Sequence, residues 1–208
     1  MVSRRRFLLV SAATATAFSL PALADDAPPI KQKQIDRHNA ASDIEYRLVF
    51  IARASGAAVT FPGHAFLLVG EYDNVQNVCR FDKNEILGFY PAEDAGELKT
   101  WFAFPVPGEV KAKLDLDLDQ KQITHRLDII TAQNGYDAAV TAAHAFNSNN
   151  QYQLGRTECV KLVEQLLLAV KTATDGAHDD LKVPSKNDSQ FPENYLAQLL
   201  KANGMDVP

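Results

Sequence analysis

The stretch that most restricts the fold is ECVKLVEQLLLAVK, from Glu158 to Lys171, because its apolar residues run nearly all the way round a helix. Val160, Leu162, Val163, Leu166, Leu167 and Val170 leave no broad polar face. A helix with one apolar stripe can lie on a surface, whereas one that is apolar on most sides has to be enclosed. Thr157 stands where an N-cap belongs, and Gly176 with the polar residues around it ends the helical region. The remainder of the chain must supply walls for this helix.

Short runs of β-branched and aromatic residues provide them. GHAFLLVGEY (Gly63 to Tyr72) is apolar on both faces after its first two residues, which predicts a central strand entered by His64. EILGFYP (Glu85 to Pro91), TWFAFPV (Thr100 to Val106) and ITHRLDII (Ile123 to Ile130) read as further strands. YRLVFIAR (Tyr46 to Arg53) is either a strand or the buried end of a helix, since Gln34 to Tyr46 carries helical spacing. Asp25 to Lys33, with Pro28-Pro29, reads as a linker. YDAAVTAAHAF (Tyr136 to Phe146) and FPENYLAQLLKANG (Phe191 to Gly204, Pro192 near its start) have helical spacing. The fold class that follows is α+β, with a small antiparallel sheet packed against the buried helix. KLDLDLDQKQ alternates leucine with aspartate, the period of a half-buried strand or extended loop. A calcium loop starting at Asp115 would need Gly and Glu where Gln120 and Arg126 stand.

The N-terminus has a different purpose. Ser3-Arg4-Arg5-Arg6-Phe7-Leu8, a mildly apolar run and Ala22-Leu23-Ala24 make an export signal, with cleavage expected before Asp25. The arginine pair resembles the twin-arginine signal, although Leu9 stands where that pattern usually has Lys. A core this rich in Ala, Ser and Thr argues against a stable membrane anchor, and no Cys follows it to carry a lipid. The expected organisation is a signal at 1–24, a linker and helix at 25–45, and one domain at 46–208. Losing three arginines takes the formal charge of −5 to about −8, which disfavours nucleic acid and anionic membranes as partners. The expected location is the periplasm or the medium.

Chemistry concentrates at Cys159. In the first turn of a helix the unpaired N–H groups and the helix dipole favour a thiolate, and an adjacent imidazole would complete its activation. Among five histidines, His38 and His178 lie in polar segments and His144 on an alanine-rich helix, so His64 leads and His125 is held in reserve. A disulfide between Cys159 and Cys79, the other cysteine, is the competing reading for an exported protein. No phosphate loop, CxxC pair or HExxH helix is present in the sequence, so no cofactor and no metal are expected.

PGHAFLLVG, then LGFYP, then YQLGRTECVKLVEQL and a closing FPENYLAQL together resemble the circularly permuted branch of the NlpC-type papain-like cysteine proteins, whose relatives include lecithin:retinol acyltransferase. The resemblance spans roughly His64 to Leu199, and its motifs are short. It implies a permuted papain-like domain, a Cys159–His64 dyad, and a third polar residue that orients the imidazole. Asn77, Asn84 and Glu85 can supply the third, with Glu85 preferred because it opens EILGFYP. The chain departs from that pattern in having Glu158 where Asn often precedes the nucleophile, and a carboxylate there opposes thiol ionisation. The activity implied is cysteine-dependent acyl hydrolysis, with peptidoglycan peptides as the first substrate class and lipid or thioester acyl groups as the second. A non-catalytic binding domain on the same fold is the alternative.

Overall fold

Period-two alternation sorts the central strands of the sheet onto two faces. The computed structural model describes residues 29–37, 45–53, 63–73, 78–92, 104–111, 123–149, 151–153, 158–177, 179–187 and 191–205, with backbone alone for 72–73, 78–86 and 147–149. Strands β1 (Lys31–Asp36), β2 (Glu45–Arg53), β3 (His64–Asp73), β4 (Val78–Pro91), β5 (Val106–Lys111), β6 (Ile123–Thr131) and β7 (Gln151–Tyr152) accompany helices α1 (Gln133–Asn149), α2 (Cys159–Ala173) and α3 (Pro192–Ala202). The strands form one seven-stranded sheet in the order β1-β6-β2-β3-β4-β5-β7. All the pairings are antiparallel except β1 with β6. The class is α+β, as the sequence implied.

β3 is central, flanked by β2 and β4, and residues 63–70 are buried throughout. Ala65, Leu67 and Val69 join Leu48, Phe50 and Ala52 of β2 and the buried side of α2 in the main core. Phe66 and Leu68 pack on the other face with Val49, Ile51 and Ile123. α2 is enclosed as its composition demands: only Gln165, Leu168 and Thr172 are exposed along it, a single narrow line. Fully burying a leucine such as Leu162, Leu166 or Leu167 contributes about 1.5–3 kcal/mol relative to exposure. α3 starts with Pro192 in its first turn, where the missing N–H costs nothing, and buries Tyr195, Leu196, Leu199 and Leu200.

Several elements differ from the sequence expectations. Lys31–Asp36, expected in a linker and the start of a helix, is the edge strand β1, and YRLVFIAR is a strand along its whole length. β1 is polar because only Ile35 is buried in it; Lys31 and Lys33 are half-exposed and the others exposed. The third expected strand is displaced, since Phe104 and Pro105 precede β5 rather than belong to it, while residues 100–103 lie outside the described set. The aspartate-rich segment 113–122 and the export signal also lie outside it. Among the described residues, no helix is long and apolar enough to cross a membrane.

Candidate active site around Cys159

α2 opens on Cys159, and its N-cap is Glu158 rather than Thr157, which is outside the described residues. Glu158 is extended (φ −135°, ψ −170°) and makes no side-chain capping bond, while its carbonyl accepts from the N–H groups of Lys161 at 3.0 Å and Leu162 at 3.3 Å. The helix therefore starts with its positive dipole end at the thiol. Cys159 is a free cysteine, 3% exposed.

The thiol is met by β3. The β3–β4 register begins at Phe66 and Gly88, and one residue earlier the Ala65 N–H donates to Cys159 Sγ at 3.4 Å. Sulfur thus takes the N–H just beyond the end of the ladder. Ala65 N is separated from the His64 Cα by one peptide bond, which bounds the distance from Sγ to that Cα at roughly 6 Å. An N–H aimed at sulfur favours the ionised form.

His64 is 7% exposed. Its ring stacks on Phe66 at 5.8 Å between centroids and tilts against Tyr90 at 4.5 Å. The imidazole lies over Gly88, where a Cβ would come within 2.7 Å of Nε2 and 2.9 Å of the Tyr90 hydroxyl. Glycine is required there by this close approach. Across β2 the partner of His64 is Arg53, also buried. The histidine ring thus packs on the Phe66 face of the sheet, whereas Cys159 meets the start of β3 from the helix face.

Glu158 is buried beside the thiol, but not with Cys159 alone. The Lys186 ammonium lies 3.5 Å from Glu158 Oε1, and the two side chains are 4% and 7% exposed. Lys186 is held in place by its neighbours: its backbone N–H donates to Glu164 Oε1 at 2.8 Å, and the Tyr195 hydroxyl donates to the carbonyl of Pro184 at 3.1 Å. Tyr152 of β7 completes this side. Burial pushes its phenol well above the ordinary range, with Cys159 and Glu158 adding to the effect, so it stays neutral.

Two sequence-based assignments do not survive the register. The pairing of Phe66 with Gly88, carried two positions on, sets Tyr90 opposite His64, in accord with their ring contact. Glu85 lies five positions along β4 from Tyr90, about 16 Å of strand, at the register shift between Leu68 and Gly70. That is beyond the reach of a glutamate, and Glu85 cannot orient His64. Cys79 pairs with Tyr72, seven positions along β3 from Ala65 and so about 23 Å of strand away. A disulfide needs Cα atoms within about 7 Å, so the bridge to Cys159 is ruled out.

The other candidates separate clearly. His125 lies on β6, buried, two strands from Ala65, with Nδ1 2.9 Å from Thr124 Oγ1. His144 is exposed on α1, and His38, His178 and Asn77 lie outside the described residues. Asn84 belongs to the backbone-only part of β4. Among the described residues no cluster of His, Cys, Asp and Glu is arranged to hold a metal. Sequence reasoning missed Arg53, Gly88, Tyr90 and Lys186. Cross-strand register would have pointed to the first three, whereas Lys186 comes from a polar loop with no pattern of its own. No family model matches the chain, and no curated protein or solved structure matches it either.

Proposed function

We propose that the protein is an exported cysteine-dependent acyl hydrolase with a permuted papain-like arrangement, most simply an amidase or peptidase acting on cell-wall peptides. The observation that carries this reading is the bond from the Ala65 N–H to Cys159 Sγ, which puts a helix-N-terminal thiol beside the residue that follows His64. His64 takes the proton of Cys159, and the thiolate attacks the carbonyl carbon. The backbone N–H of Cys159 stabilises the oxyanion, His64 returns the proton to the leaving amine, and water releases the acyl group. The arginine-led N-terminus supports export, and export supports peptidoglycan stem peptides as substrate.

A non-catalytic binding domain is the second reading, favoured by the burial of the thiol at 3% exposure. Alkylation by iodoacetamide against pH, with the site read by mass spectrometry, separates the two. The hydrolase should show a reactive Cys159 well below the free-thiol value of about 8.5, lost in His64→Ala. It should also show release of stem-peptide fragments that falls at least about 10³-fold in Cys159→Ser. A thiol with an ordinary or raised midpoint, insensitive to His64, would leave the binding domain.

A further inference from the structure

The sequence sets a carboxylate next to its nucleophile, which works against ionisation of the thiol. Glu158 is 5% exposed, so water screens it poorly. The groups around Cys159 come from several elements: Glu158 precedes it at the helix start, the Ala65 N–H of β3 donates to the sulfur, and Tyr152 of β7 senses both Cys159 and Glu158, with Lys186 reaching Glu158 from the loop before α3. Tyr152 stays neutral and contributes no charge. Lys186 brings a cation to Glu158, and its side chain is the less exposed of the two.

We infer that Lys186 is a positioning residue for the nucleophile, its buried ammonium offsetting the Glu158 carboxylate so that Cys159 can ionise beside it. The inference rests on the hydrolase reading for its meaning, but its electrostatics stand independently of catalysis. The fixed backbone around Lys186 keeps the cation in place. Its N–H is tied to Glu164, which itself pairs with Lys161 on α2, so the loop is bound to the helix whose first residue it serves. Burial makes the pair effective, since a charge at this depth acts over several ångströms with far less screening than at the surface.

The test uses Cys159 alkylation by iodoacetamide in the full mature protein, read as the pH midpoint rather than the plateau rate, because nucleophilicity falls as a thiol becomes more acidic. Lys186→Met should raise the midpoint by about one pH unit, slowing alkylation about tenfold below it. Glu158→Gln should lower the midpoint by a similar amount, and the double variant should return near the wild-type value. Lys186→Arg keeps the cation and should stay within a few tenths of a unit. If Lys186→Met fails to fold, the double variant, which buries no unpaired charge, still decides the matter: a midpoint back near the wild-type value supports the inference, and one as low as that of Glu158→Gln alone overturns it. Midpoints unmoved in every variant, or moved the same way by Lys186→Met and Glu158→Gln, overturn the inference and leave the pair a structural one. An acidic thiol dependent on His64 but indifferent to Lys186 would sink this inference alone. A wild-type thiol with an ordinary midpoint would sink the hydrolase reading, whichever way the variants shift.

Discussion

At its C-terminal end α2 closes on Thr174 and a buried guanidinium; at its N-terminal end it closes on Glu158, whose side chain makes no capping bond. Arg37, just beyond β1, donates from Nε to Thr174 Oγ1 at 2.9 Å and from Nη2 to the carbonyls of Thr174 at 2.7 Å and Lys171 at 3.3 Å, while Nη1 bonds the Asp179 carbonyl. Thr174 also donates its hydroxyl to the Val170 carbonyl at 2.7 Å. Orphan carbonyls and the negative dipole end are thus met by a cation, the arrangement that stabilises a helix. At the other end the first residue is a thiol rather than a polar cap, and the adjacent charges form a pair of their own. One end is finished by a cation and a cap, and the other leaves its dipole to a buried thiol.

The largest expected effect tests that division directly. Arg37→Ala removes a buried cation and leaves several carbonyls without their donor, so unfolding free energy should fall by about 2–4 kcal/mol in urea titration. Within the folded protein the Cys159 alkylation midpoint should hold, because a 15-residue helix separates the two ends by about 22 Å. A shift there as large as that in Lys186→Met would show that the ends are not independent. A smaller expected effect sharpens the other side. Gly88→Ala places a methyl 2.7 Å from His64 Nε2 and 2.8 Å from Tyr90 Cε2, so both rings must move. Overpacking of this kind should cost about 1–2 kcal/mol, while Cys159 alkylation shifts toward that of His64→Ala. Loss of stability without any change in the alkylation profile would detach the imidazole's placement from the thiol.

The two ends of α2 and what surrounds them were unequally legible. GHAFLLVGEY predicted a central strand because both of its faces are apolar, and the enclosure of α2 followed from its composition. β1 escaped because KQKQID buries one side chain and pairs with a strand roughly ninety residues later, so no local period marks it. Arg37, beside it, was illegible for the same reason. At the thiol end, Cys159 and His64 were visible from residue type and element position. Glu85 was preferred because it begins a strand, but what matters across a sheet is register, and the irregularity between Leu68 and Gly70 is written in no local pattern. Lys186 depends on how the loop before α3 folds against α2, which is a tertiary fact.

The smallest effect concerns pH, and it asks whether acid acts on stability through the thiol end at all. His125 lies two strands, about 10 Å, from Ala65 at the thiol end, buried between Ala52 of β2 and Lys31 of β1, and its Nε2 has no hydrogen-bond partner among the described residues. Burial lowers its pKa, and Lys31 lowers it further. The neutral ring is therefore favoured in the folded state. Above the unfolded value of about 6.5 both states are neutral and stability is unaffected; as pH falls below it the unfolded chain takes up a proton that the folded one resists, and stability is lost. The urea midpoint of the wild-type protein should accordingly decline below about pH 6.5, and His125→Asn should flatten that decline. If acid sensitivity persisted unchanged in His125→Asn and vanished in Glu158→Gln, the charge pair beside Cys159 would be holding the fold together. The separation between a stabilising end of α2 and a thiol end that carries no stability would then fail.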